Sequence, residues 1–271
     1  MQPFEWLRPT SLDEAYAAFL ENEESRYLAG GMSLIPTMKL GLVAPGRLID
    51  LSSIEGLTGI SRNGDEIEIG ALTRHCDVAA SDVIRSSTPG LAVLAGGIGD
   101  RQVRNRGTLG GSVANSDPAA CYPSAMLALE ATIRTNQRRI PASEFFLGLF
   151  ETALDNGEIL TGVEYTIPRN SAYLKFHQKA SRFALVGVFA SLGSHGRWRI
   201  AVTGAATHAF RVAEFEKVMN GGGMPADFTE DFNSPFLSSD IHGTADYRRH
   251  LVRVIAGRAV SQLTSNTATQ H

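Results

Sequence analysis

The stretch Leu28–Leu40, LAGGMSLIPTMKL, decides how the N-terminal part of this 271-residue chain is read. An apolar tripeptide end runs into Gly30 and Gly31, and beyond Ser33 a segment with helical character begins. Glycines lack a Cβ and reach positive φ, so a turn built on them can swing successive N–H groups to one side. Ser33 is placed to cap a helix that starts at Leu34, and Pro36 falls in its first turn, where a missing donor costs little. Taken alone the stretch supports two readings, a plain strand-to-helix turn or a loop shaped for a phosphate. It is neither a GxGxxG loop nor a Walker A loop.

A second glycine loop lies downstream in RNRGTLGGSVANSDPAACYP, with Gly107, Gly110 and Gly111 followed by Ser112, Asn115, Ser116 and Asp117. Two such loops in one α/β region can grip a diphosphate from both sides. On that reading, a Cβ added at Gly110 or Gly111 would meet the phosphate. Asp117 suits either of two roles, binding sugar hydroxyls or capping a turn before Pro118.

Around the loops, the first 50 residues read as a small α/β unit. SLDEAYAAFLEN has helical spacing with Ser11 as its cap, and RYLAG and RLIDLSSI are strand candidates. A second unit begins near Glu55, where DEIEIGAL alternates as a half-buried strand does, and TRHCDVAASDVI reads as a helix capped by Thr73. From Pro89 to Ala131 glycine density rises and regularity falls, the pattern of long functional loops, with Pro123 ahead of an apolar helix, SAMLALEA. EILTGVEYTIP is a further strand. Then AYLKFHQKA, ALVGVFASLG and RWRIAVTGAAT read as three strands, followed by helices over Ala209–Asn220 and Asp246–Leu263 with a loop between them. Strands followed by helices predict a separate α+β domain. The expected division is 1–168, itself split at about 54/55, and 169–271.

A net charge of −3 gives no field for a nucleic acid partner. No apolar run approaches the ~18 residues of a membrane span, and the first residues lack the pattern of a signal peptide. Cys76 and Cys121 are the only cysteines, too few for an iron–sulfur cluster, and they suit a reducing, cytoplasmic setting. His75 and Cys76 adjoin on a helix and so point in different directions, which argues against a metal or nucleophile pair. Arg101, Arg104 and Arg106 form the most basic local run, with phosphate, partner and solvent roles all open. Arg248, Arg249, Arg253 and Arg258 read as the polar face of an amphipathic helix.

LAGGMSLIPTMKLGLVAPGRLIDLSSI together with VRNRGTLGGSVANSDPAACYPSAMLALEA resembles the FAD-binding medium subunit of molybdenum hydroxylases, the xanthine dehydrogenase and carbon monoxide dehydrogenase group. DYRRHLVRVIAGRAV and GAATHAFRVAEFEKVMNG extend the resemblance through the C-terminal part. It implies an α+β fold: a two-part FAD-binding α/β domain of the vanillyl-alcohol-oxidase type, then antiparallel strands with helices. It places FAD contacts at Ala29, Gly30, Gly31, Met32, Ser33 and Leu34, and at Thr108, Leu109, Gly110, Gly111, Ser112 and Asp117. Ile98, Gly99 and Val103 fall beside the flavin, Leu160 near the adenine or flavin, and Lys179 and Phe183 where the second domain approaches the isoalloxazine. Met32 stands where histidine is frequent, Ser112 where asparagine is, Phe183 where the carbon monoxide enzymes have tyrosine, and Cys121 where many relatives have aspartate. These departures argue against a close carbon monoxide dehydrogenase.

The resemblance further implies an electron relay. A small subunit would carry [2Fe–2S] clusters, a large one the molybdopterin cofactor, in a dimer of heterotrimers serving an external acceptor. No acid or base in this chain is nominated as catalytic. A self-sufficient FAD-dependent oxidase or dehydrogenase is the alternative, and an assembly subunit with an empty nucleotide fold is a third reading.

Overall fold

The computed structural model describes residues 2–235 and 237–268, and side chains up to residue 265. A small parallel sheet comes first, with β1 (Glu5–Leu7) and β2 (Ser25–Leu28) flanking β3 (Arg47–Asp50). Helix α1 (Leu12–Leu20) links β1 to β2, and Ser11 caps it by accepting from the Glu14 N–H. Helix α2 (Leu34–Lys39) leaves the glycine turn after β2. Ser33 occupies its N-cap position, but its side chain makes no capping bond, contrary to expectation.

The second unit is an antiparallel sheet of β4 (Ile60–Asn63), β5 (Glu66–Gly70), β6 (Thr132–Thr135), β7 (Arg139–Pro141) and β10 (Leu160–Thr166), ordered β4-β5-β10-β6-β7. In β5, Ile67 and Ile69 are fully buried while Glu66 faces solvent, as the alternation dictates. Between β5 and β6 the expected helix from Thr73 is two helices, and the chain from Pro89 to the expected apolar helix SAMLALEA is helical as well, not the irregular loop its glycines suggest. The whole segment forms α3 (His75–Ala80), α4 (Asp82–Ser87), α5 (Pro89–Gly96), α6 (Arg101–Arg106), α7 (Leu109–Asn115) and α8 (Tyr122–Ala128). Thr73 caps none of them; its hydroxyl exchanges hydrogen bonds with Gly59 at 3.0 Å, and the helical stretch breaks at Ser81, which caps α4. A short turn α9 (Ala142–Phe145) and the hairpin β8 (Phe146–Gly148)–β9 (Glu151–Thr152) lead into β10.

The C-terminal sheet runs β11 (Asn170–His177), β12 (Ala184–Leu192), β13 (Trp198–Thr203) and β14 (Phe210–Arg211), antiparallel throughout. The fourth strand lies where a helix was expected; α10 starts only at Ala213 and ends at Asn220. Helix α11 spans Ala245–Ala268. β12 is apolar along nearly its whole length, and its one hydroxyl, Ser191, is buried and donates to Ala128 O, because both faces of the strand are covered. Val186, Val188 and Ala190 pack with Leu251, Val252, Ile255 and Ala256 of α11, while Phe189 joins the core around α5 and α8.

This second face ties the two halves together. A Cβ on Gly90 would fall 2.8 Å from the Ala172 nitrogen, so α5 lies directly against β11, and Gly90 N–H donates to Ser171 Oγ. Arg248 corrects the polar-face reading of α11. It is only 4% exposed and donates to the Leu185 and Gly204 carbonyls and to Asp240, pinning the helix to the sheet. Arg249 lies 5.1 Å over the Phe232 ring.

Candidate cofactor site

A cavity of about 580 Å³ opens between the two glycine turns and is bounded on one side by the β11–β12 hairpin. Its size suits a large cofactor. The turn after β2 forms one wall. Gly31 sits at φ +72°, a conformation that glycine takes without strain. Among the described residues, the N–H groups of Gly30, Gly31, Met32, Ser33 and Leu34 donate to no acceptor. Five consecutive undonated amides at a helix start form an anion-binding wall.

The turn before α7 forms a second wall by different means. Leu109 N–H donates to Thr73 O, Gly110 N–H to Ala71 O, Gly111 N–H to Thr108 Oγ1, and Ser112 N–H to Thr108 O. None of those amides is free for a phosphate. A Cβ on Gly110 would lie 2.5–2.8 Å from Ala71 atoms, and one on Gly111 would lie 2.8 Å from Thr108 Oγ1. These glycines therefore serve close packing and an N-cap; a Cβ there would meet protein, which corrects the expectation of contact with phosphate. What this wall offers the cavity is side chains: Ser112 and Asn115 line it and make no side-chain hydrogen bond among the described residues.

Asp117 borders the cavity as well. One oxygen, Oδ1, accepts from Ala119 N–H at 2.8 Å, so the turn-capping role is real. The turn is held from the C-terminal sheet, where Thr203 Oγ1 donates to the Pro118 and Ala120 carbonyls and Gly204 N–H donates to Pro118 O. The remaining oxygen, Oδ2, has no partner among the described residues and is available to hydroxyls.

The two turns touch. A Cβ on Gly30 would fall 2.1 Å from the Arg106 carbonyl oxygen and 2.8 Å from Gly107 Cα, so only glycine permits that approach. Ile98, Gly99 and Val103 form the next segment of wall. Arg104 settles its own role by donating to the Ile98 and Gly99 carbonyls at 3.0 Å, while Arg101 and Arg106 are exposed. Leu160, Glu158 and Ile159 close one end. Burial opposes charge on Glu158, but hydrogen bonds from Arg138, Thr135 and Asp155 N–H outweigh it and hold the carboxyl below its usual range.

Of the expected site residues, Ala29–Leu34, Ile98, Gly99, Val103, Thr108, Gly110–Ser112, Asp117, Leu160 and Phe183 all border this one cavity. Leu109 and Lys179 do not. Leu109 starts α7 with its side chain in the core, and Lys179 is exposed on the β11–β12 hairpin. Lys175 takes the hairpin position instead, its Nζ bonded to the Gly97 and Arg182 carbonyls and 3.6 Å from Cys121 Sγ. Nothing in the sequence of β11 marks it out, because the strand does not alternate in burial. His75 also borders the cavity, a placement that sequence spacing did not expose. Burial first, and then nearby Arg104, push its pKa down to about 4. Among the described residues, no group of His, Cys, Asp and Glu could hold a metal ion, and no helix is long and apolar enough to cross a membrane.

A free row of amides, unpaired hydroxyl and amide side chains opposite, and a large cavity fit a cofactor carrying a diphosphate. Residues 2–170 match the family described as the FAD binding domain in molybdopterin dehydrogenase, and the chain belongs to that family. The glyceraldehyde dehydrogenase medium chain of Sulfolobus acidocaldarius is 33% identical, over 96% of this chain and 98% of its own. The nicotine 6-hydroxylase medium subunit of Paenarthrobacter nicotinovorans is also 33% identical, over 96% of each. The structure of reconstituted CO dehydrogenase from Oligotropha carboxidovorans superimposes with a TM-score of 0.87 at 31% identity, covering 96% of this chain and 97% of that one. The protein is thus an FAD-binding medium subunit of the molybdenum hydroxylase type, and its cofactor is FAD. Near-equal identities to relatives with such different names do not single out any one of them.

Proposed function

We propose that the chain is the electron relay of a three-subunit molybdenum hydroxylase in the cytoplasm. On this reading a small partner carries [2Fe–2S] clusters, a large partner carries the molybdopterin cofactor, and two heterotrimers pair. FAD accepts electrons from the clusters and delivers them to an external acceptor. Residues 1–168 hold the cofactor, through subdomains 1–54 and 55–168, and residues 169–271 close over it.

Within the chain the roles divide by chemistry. The amides of Gly30–Leu34 hold the diphosphate, with Ser112 and Thr108 opposite. Asp117 Oδ2 accepts from sugar or ribityl hydroxyls. Ile98, Gly99, Val103, Leu160 and Phe183 shield the rings from water. On this reading the substrate is chosen on the large partner subunit, beside the molybdopterin cofactor.

The observation that carries this reading is the row of five undonated amides facing a cofactor-sized cavity. Its test is direct. The chain, purified with or without partners, should be yellow with oxidised flavin and release one FAD per chain on denaturation. Co-purification from its own host should bring an iron–sulfur protein and a large molybdenum protein. A colourless chain that takes up no added FAD overturns the cofactor assignment; a flavoprotein that turns over substrate alone favours the self-sufficient alternative.

A further inference from the structure

From the sequence alone His75 has no task, yet its surroundings in the fold give it one. It is 4% exposed, starts α3, and stacks at a tilt on Tyr122 with ring centroids 5.3 Å apart. Neither ring nitrogen is hydrogen-bonded among the described residues, and Nδ1 is the one sealed from solvent. A sealed N–H with no acceptor is costly, so the proton sits on Nε2, which is not sealed and lies beside Gly107 of the cavity wall. A Cβ on Gly107 would fall 2.6 Å from Nε2, and Gly30 approaches the same Gly107 from the free-amide turn. Gly107 therefore has His75 on one side and the anion-binding turn on another, and all three border one cavity.

We infer that His75 is a cofactor-binding residue, donating from Nε2 to an oxygen of the FAD diphosphate. The inference rests on the FAD reading above. A neutral imidazole suits this place, since it brings a donor to the anion without a desolvated charge beside Arg104. It also explains why position 107 holds glycine: any side chain there would cover the donor.

The test uses the full chain, stripped of flavin and titrated with FAD and, separately, with riboflavin, which lacks phosphate. Replacing His75 by phenylalanine keeps a ring and removes the donor, while glutamine places an amide near the Nε2 position. Phenylalanine should weaken FAD about tenfold or more, glutamine should restore most of it, and riboflavin affinity should be equal in all three proteins. Unchanged FAD affinity in His75→Phe, or equal weakening of riboflavin, overturns the inference. Should His75→Phe fail to fold, the wild-type ¹⁵N resonance of Nε2 decides: it must move on adding FAD and stay in place with riboflavin, and a resonance that ignores FAD overturns the assignment. A wild-type chain that takes up no FAD at all is a separate outcome, which removes the FAD reading and this one with it.

Discussion

The turns at Ala29–Leu34 and Gly107–Ser112 share the same letters, a glycine pair followed within two residues by serine, but they use their backbones differently. In the first, five amides in a row are free, and the positive φ of Gly31 shapes the wall they form. In the second, every amide from Leu109 to Ser112 is already committed to Thr73, Ala71 or Thr108. Its glycines let α7 lie against the end of β5, and only its side chains remain for a ligand. A glycine pair is thus a statement about close approach, and the neighbour approached can be a phosphate or the protein itself.

The largest effect that separates the two is on stability. Gly110→Val should cost about 3 kcal/mol or more, because the new atoms meet Ala71 backbone that cannot move aside. Urea unfolding of the flavin-free chain measures it, and a wild-type midpoint would return Gly110 to the ligand wall. Next in size is the pH dependence lodged behind Gly107. His75 has its folded pKa lowered to about 4 against about 6.5 unfolded, so its contribution is full above pH 6.5 and declines as pH falls towards 4. The loss amounts to roughly 3 kcal/mol at most, from the 2.5-unit difference. His75→Gln should flatten this segment of the stability profile. Glu158, also lowered, acts in a more acidic window, below its ordinary value of 4.5.

That contrast also explains what was legible in the sequence. Signals that depend on neighbours along the chain came through: Ser11 capping α1, the alternation of β5, the apolar strand β12, and the first glycine turn. What failed depended on contacts between distant segments. Gly90 and Gly110 look like loop residues until Ala172 and Ala71 are placed against them, and so α5, α6 and α7 were read as irregular chain and α3 and α4 as one helix. Arg248 reads as solvent-facing because its acceptors at Leu185, Gly204 and Asp240 reach it only through the fold. Strand β14 has two residues, too few for any periodic signal. Most residues named through the family resemblance line one cavity, while the places of His75 and Lys175 needed the folded geometry.

At the first turn, a substitution falls on binding more than on stability. Gly31→Ala places a Cβ at φ +72°, 3.0 Å from Ile35 and 3.2 Å from Leu28 side chains, and should cost about 1–2 kcal/mol of stability. The larger consequence falls on the ligand, because a backbone that relaxes from positive φ re-aims the amides. FAD binding should weaken about tenfold, the value of one hydrogen bond to a charged group. The Gly110→Val chain should instead bind in proportion to its folded fraction. Equal binding losses per folded molecule in both variants would erase the distinction between the turns.

The smallest expected effect tests the second turn's remaining offer. Ser112 lines the cavity with its hydroxyl unpaired among the described residues, while its N–H is held by Thr108. Ser112→Ala therefore removes no intramolecular bond, improves local helix propensity slightly, and should leave stability within about 0.5 kcal/mol. If the hydroxyl faces the diphosphate, FAD affinity falls by about 1 kcal/mol, near fivefold, and Ser112→Asn, with its longer amide, should recover it. The ratio of FAD to riboflavin binding isolates that contact from any general loosening of the cavity. Unchanged FAD binding in Ser112→Ala would leave the diphosphate to the Ala29–Leu34 turn, with the second wall as packing alone.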